Sequence, residues 1–133
     1  MIRTNEDLEG FLGRLERRFE KAPDGTYIVS MGGGRPLVAM RLAPPVLVLE
    51  VSIGKVPSSA PPEQLATLYR RLLEFNADGL LHAAYGLQAD QIQLSAALEL
   101  ESVDLNELEA VLADLDMALA EQVPALRELS PSA

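Results

Sequence analysis

The chain has 133 residues, a hydrophobic fraction of 48% and no cysteine, so we expect a single domain over residues 1–133 without disulfides or thiolate metal sites. Its N-terminus lacks the apolar run of a signal peptide, and no apolar segment reaches the roughly 18–20 residues of a membrane helix, which predicts a cytoplasmic protein without membrane insertion. The whole formal net charge of -9 falls in residues 90–133, because residues 1–89 carry ten acids and ten bases, and such an acidic surface disfavours nucleic acid binding.

The first predicted element is an amphipathic helix. Apolar residues recur at three- and four-residue spacing from Leu8 to Phe19, and charged residues occupy the other face. Thr4 or Asn5 can cap its first turn, and Pro23-Asp24-Gly25 should end it near Ala22.

Three strands are predicted next. Their residues are largely β-branched, aromatic or aliphatic, and short turns rich in glycine and proline separate them, which favours an antiparallel meander. The last strand carries two stripes, one apolar throughout and one that is apolar at its start and polar at its end. The predicted strands are Thr26–Met31, Arg35–Leu42 and Val46–Ile53.

A proline-rich loop over residues 54–62 leads into a second predicted helix. Ser58 or Ser59 can cap this helix, and an apolar stripe follows from Leu65. Asn76-Ala77-Asp78-Gly79 should stop the helix, and Gly79 suits a left-handed C-terminal cap.

Residues 81–100 predict an amphipathic hairpin, because apolar and polar residues alternate on both sides of a turn at Gln88-Ala89-Asp90. Ser102 or Asp104 can cap a last, leucine-rich helix, which Pro124 should bend or end, and residues 130–133 should form a frayed tail. The predicted order is therefore α-β-β-β-α-β-β-α, an α+β fold in which helices pack against an antiparallel sheet.

Few residues could carry chemistry. The glycines at 32–34 precede Arg35 and a strand, so we interpret them as a hairpin turn and not as a phosphate loop, which needs a following helix. His82 is the only histidine and cannot form a metal site alone, so we expect it at the surface or in an interface. Asp114 and Asp116 are interpreted as solvated surface residues. The sequence thus predicts no catalytic residue, no cofactor, no metal and no enzyme.

Apolar surface is the remaining functional signal. Three helices cannot cover both faces of such a sheet, and exposed apolar patches mark protein contacts. The acidic C-terminal third can be either a solvated helix face or a surface turned to a partner.

The segment Leu68–Asn76 (LYRRLLEFN) is followed by the hairpin and by an acidic leucine-rich helix from Asp104 to Leu112. With these elements the second half of the chain resembles class I type III secretion chaperones of the Tir chaperone family, whose helix ends in an LLxLN pattern and is followed by the same elements in the same order. The glycine turn at residues 32–34 and the proline-rich loop depart from the family pattern.

This resemblance implies a cytoplasmic homodimer that binds the N-terminal segment of a secreted effector in extended form and keeps it export-competent. The same fold also occurs in bacterial proteins described as sensory-transduction regulators, so a regulatory adaptor that binds a folded protein partner stays open. The resemblance implies effector grooves that involve Leu12, Leu15, Val38, Met40, Val48 and Glu50. It implies a dimer contact near Leu68, Leu72, Tyr85 and Leu87.

Overall fold

The computed structural model describes residues 1–129. Two π-helical turns, Phe75–Gly79 and Ala118–Gln122, prolong the second and third helices, and the predicted frayed tail lies outside the described residues. The helices are α1 (Asn5–Arg14), α2 (Pro62–Glu74), α3 (Leu105–Met117) and α4 (Val123–Glu128). The strands are β1 (Phe19–Lys21), β2 (Tyr27–Val29), β3 (Val38–Ala43), β4 (Val46–Lys55), β5 (Ala84–Gln88) and β6 (Gln91–Glu99).

The six strands form one sheet in the order β1-β2-β3-β4-β6-β5, and all five neighbouring pairs are antiparallel. This confirms the predicted α+β class with helices packed on an antiparallel sheet. None of the helices in the described part of the chain is both long and apolar enough to cross a membrane.

The end of the first helix differs from the prediction. α1 ends at Arg14 and not near Ala22, because Glu16 takes a left-handed backbone conformation (φ 56°) that breaks the helix. Phe19 then enters the short strand β1 and packs edge-on against Tyr27, with 5.5 Å between ring centroids. The apolar spacing that suggested a longer helix therefore belongs to a helix followed by a strand.

Side-chain caps fix the starts of two helices, as predicted. The Thr4 hydroxyl accepts the N–H of Asp7, whose carboxylate in turn accepts the N–H of Thr4 in a reciprocal capping box. Backbone N–H groups of Arg3 and Thr4 hold the pKa of Asp7 below its usual range. Asp104 caps α3 by accepting the N–H of Glu107 at 2.7 Å.

At three other helix termini the structure differs from part of the prediction. Neither Ser58 nor Ser59 caps α2, because Pro61 takes the cap position without a side-chain hydrogen bond. Gly79 ends the π-helical turn after α2 without the positive φ of a left-handed cap. Pro124 lies in the first turn of α4 and does not end the helical segment, because the missing proline N–H is tolerated there.

The helices all contribute to one core on a single face of the sheet. Alternate residues of the central strands are buried against this core, and the intervening residues remain partly exposed on the opposite face. The helices supply Leu8, Leu12, Leu68, Leu108 and Leu112, and the sheet supplies Tyr27, Met40, Leu47, Leu49 and Leu94, all with at most 1% exposure.

Candidate protein-binding surface

The open face is the side of the sheet that none of the helices within residues 1–129 covers. On β4, Leu47, Leu49 and Val51 point to the core with 0% exposure. Val48 and Glu50 alternate with them and are only half-buried, because β-strand side chains point to opposite faces in turn. We use the name open face for Ile28, Ala39, Arg41, Val48, Glu50, Ser95 and Ala97 and the residues in register with them.

Strand register places these residues in rows across the sheet. In one row Ile28 lies opposite Ala39, which lies opposite Glu50, which lies opposite Ser95. In the next row Val48 lies between Arg41 and Ala97. The two rows therefore combine four apolar residues with three charged or polar ones, which is a composition suited to contact with a protein segment.

A groove of about 540 Å³ lies at the β1 end of the open face, and residues on β1, β2 and the approach to β3 line it. A second groove of about 410 Å³ shares Arg17, Arg18 and Ser30 with the first and extends it toward Leu15 and Met31. The open face thus continues into a concave region at one edge of the sheet.

The structure separates the six residues predicted for effector binding into two groups. Leu12, Val38 and Met40 have 0% exposure and lie in the core, so a partner at the surface does not reach these side chains. Val48 and Glu50 lie together on the open face, and Leu15 is half-buried and lines the second groove; these three are accessible.

The four residues predicted near a dimer contact also separate. Leu68, Leu72 and Tyr85 are buried within the chain, and Leu87 is 50% exposed. Two other leucines on the same stretch of chain are more exposed, Leu73 at 68% on α2 and Leu81 at 89% in the loop before β5.

Asp114 differs from its predicted role as a solvated surface residue. It is 8% exposed, and its carboxylate accepts the backbone N–H groups of Leu81, His82 and Ala83 at 2.9–3.3 Å. The carboxylate therefore satisfies three backbone donors of the loop that leads into β5. The sequence feature that could have indicated this role is the position of Asp114, an acidic residue on the apolar side of a leucine-rich helix.

A second polar contact joins the same loop to the end of α3. The hydroxyl of Tyr85 donates to the Gln122 side chain at 2.9 Å, and the Gln122 amide donates to the carbonyl of Gly79 at 2.9 Å. A Cβ atom at Gly79 would come within 2.5 Å of that amide nitrogen, so a larger residue there would displace the Gln122 side chain. Burial, together with the negative charge of Asp114, raises the pKa of Tyr85 above its ordinary value.

Asp116 lies nearer the surface than Asp114 and joins α3 to two loops. Its carboxylate pairs with Arg17 at 2.8 Å, and the Arg35 guanidinium approaches its other oxygen at 3.9 Å. These partners lie just before β1 and between β2 and β3, so the acidic helix also holds the segments that border the grooves.

The remaining candidates fit their predicted structural roles. His82 is exposed, and Gly32, Gly33 and Gly34 all have positive φ (60–77°) in the turn between β2 and β3. Among residues 1–129 there is no group of three or more side chains that could hold a metal ion.

The family model CesT_Tir_1, of the Tir chaperone family, matches residues 1–132. The chain therefore belongs to this family of type III secretion chaperones. No curated protein sequence matches it.

Solved structures of similar shape share this fold at low sequence identity. The heterodimeric ExoU-SpcU complex from the type III secretion system of Pseudomonas aeruginosa includes a chain with a TM-score of 0.68 and 20% identity, covering 88% of this chain and 95% of that chain. YbjN from E. coli, a candidate transcription regulator, has a TM-score of 0.61 and 16% sequence identity, covering 92% of this chain and 95% of that chain. The structure of the Yersinia pestis type III secretion chaperone SycH, in complex with a fragment of YscM2, has a TM-score of 0.58 and 19% sequence identity. The match covers 92% of this chain and 99% of that chain.

Proposed function

We propose that this protein is a cytoplasmic type III secretion chaperone that binds the N-terminal segment of a secreted effector and keeps that segment export-competent. The open, partly apolar face of the sheet, in a chain of the Tir chaperone family, is the observation that carries this proposal. The chain acts as one domain over residues 1–133 and has no catalytic role.

The effector segment contacts the open face around Val48 and Glu50 and reaches Leu15 through the adjoining groove. Leu12, Val38 and Met40 do not contact the segment. They contribute indirectly, because they fill the core against which α1 and the strands pack. An extended segment suits this surface, since it can cover a wide, shallow face without forming a core of its own.

The test of this function is co-expression of the full chain with the product of each neighbouring gene. A secreted protein should co-purify in a stable complex, and its N-terminal segment should be protected from proteolysis there and digested when alone. If no neighbouring product co-purifies with the wild-type chain, the proposal fails.

A homodimer is part of the proposal. The exposed leucines Leu73, Leu81 and Leu87 supply apolar area for the contact. The buried residues Leu68, Leu72 and Tyr85 pack in the core and hold the elements that carry these leucines in place. Light scattering of the wild-type protein should give twice the mass of one chain. The double variant Leu73→Lys with Leu87→Lys should be a monomer. The control variant Ala113→Lys, on the exposed side of α3, should remain a dimer. A wild-type monomer at high concentration would contradict the dimer.

A regulatory adaptor is the second candidate, because the fold is also that of YbjN. In that case the partner's binding region would be folded before contact. Circular dichroism of the isolated region distinguishes the two functions, since a chaperone's client segment should be unfolded alone and an adaptor's partner should be folded.

A further inference from the structure

The groove at the β1 end of the open face has an apolar floor. Ile28, on the open face, lines it together with Leu37, which is 55% exposed. Ile28 lies opposite Ala39 in the strand register, so the floor continues directly into the open face. The volume of about 540 Å³ is large enough for one or more side chains of a bound segment.

The charged residues of this groove are mainly basic. Arg17 and Arg18 face one acid, Glu20, which leaves the lining with a formal charge of +1. Arg17 is already paired with Asp116, whereas Arg18 is exposed and forms no ion pair within residues 1–129. The groove therefore offers, on a chain of net charge -9, an exposed guanidinium that has no ion-pair partner within residues 1–129.

Backbone pairing holds Arg18 at the groove. Its carbonyl accepts the N–H of Ser30 at 2.9 Å, which continues the β1–β2 ladder by one residue beyond the pairing of Phe19 with Val29. Side chains alternate along a strand, so Arg18 points to the same side of the sheet as Glu20 and Ser30. All three line the groove.

We propose that this groove selects, within the bound segment, a large apolar side chain with a carboxylate beside it, and that Arg18 is the specificity-determining residue. This inference rests on the proposed function and deepens it by naming the chemistry of the segment. The apolar side chain would cover Ile28 and Leu37, and the carboxylate would pair with the planar guanidinium of Arg18, which matches carboxylate geometry.

Charge also sets where such a segment docks. A carboxylate is attracted by Arg18, so it favours the β1 end of the face. A lysine at the same place would be repelled by Arg18.

The experiment measures fluorescence anisotropy of the full chain with labelled twelve-residue peptides in which threonine and valine alternate around a central pair. The leucine–aspartate peptide should bind about tenfold more tightly than the leucine–lysine peptide at low salt, since attraction is exchanged for repulsion. An alanine–aspartate peptide should also bind more weakly, because it leaves the apolar floor uncovered.

Variants of the groove identify the residue responsible. Arg18→Glu should abolish or invert the preference for aspartate over lysine, and Glu20→Gln should increase it, since it removes the only acid of the lining. Arg127→Glu on α4 makes the same change of net charge as Arg18→Glu and should leave the preference intact. Thermal unfolding of each variant checks that the fold is kept.

Two results would overturn the inference: no binding of the leucine–aspartate peptide, or an aspartate preference that Arg18→Glu and Arg127→Glu affect equally. Its failure is distinct from failure of the proposed function, because the latter is decided by co-purification of a neighbouring gene product with the wild-type chain. A chain that captures its effector but shows no aspartate preference loses only the inference.

Discussion

The two faces of β4 differ in what covers them, although both begin as apolar stripes. Leu47 and Leu49 are completely buried under the helices, whereas Val48, between them, is only half-buried. The difference shows that an apolar stripe does not identify a core by itself. Packing of helices on one face makes that face the core, and the other face becomes a surface on which a partner can bind.

The largest expected effect is on the covered face. Leu49→Ala should lower the free energy of unfolding by about 2–5 kcal/mol, because it removes a fully buried side chain and leaves a cavity. Val48→Ala on the open face should cost under about 1 kcal/mol, as for a partly exposed residue without special contacts. Urea unfolding of both variants measures the difference. Equal losses of unfolding free energy would contradict the assignment of one face to the core and the other to the surface.

The two aspartates of α3 should also differ. Asp114→Ala should cost about 2–3 kcal/mol of unfolding free energy, since it leaves backbone N–H groups of the loop before β5 without their charged acceptor. Asp116→Ala should cost about 1 kcal/mol or less, because its ion pair with Arg17 is partly exposed. Denaturant unfolding tests this, and a reversed order would refute the role assigned to Asp114.

A smaller effect concerns how the stability of the fold depends on pH through Tyr27, which lies on the covered face. Burial raises the pKa of Tyr27 to about 12, and the hydrogen bond that its hydroxyl donates to the Glu9 carboxylate at 2.6 Å adds to the shift. The unfolded chain therefore loses this proton near pH 10, before the folded chain does, so stability should be complete below pH 10 and fall as the pH rises toward 12.

Tyr27→Phe should flatten this alkaline loss of stability, although Tyr85, whose pKa is also raised, keeps part of it. Urea midpoints at steps from pH 8 to 11 measure the effect. The role assigned to Tyr27 would be rejected if the wild-type and variant midpoints declined in parallel.

The fold was predictable where one periodicity dominates. The alternation in residues 91–99 is strict, and β6 covers that range. Phe19 satisfies both the helical spacing after Leu15 and a place in a strand, so the sequence did not reveal that the helix ends at Arg14. The left-handed conformation at Glu16 has no sequence signal, because glutamate rarely adopts it.

The candidate surface was predictable in part. Val48 and Glu50 belong to the stripe that turns polar along β4, and they lie on the open face. The positions of Val38 and Met40 depend on which face the helices cover, and that is decided by contacts between distant segments. Burial of Asp114 likewise depends on a loop more than thirty residues earlier in the chain.

The central claim is that the open face binds the effector segment. The most direct measurement is co-purification of the neighbouring secreted protein with the wild-type chain, with Val48→Glu on the open face, and with Ala113→Glu on the exposed side of α3. The account predicts that the wild-type and Ala113→Glu chains retain the partner and that Val48→Glu, folded by circular dichroism, loses it. Equal retention by both variants would contradict the account.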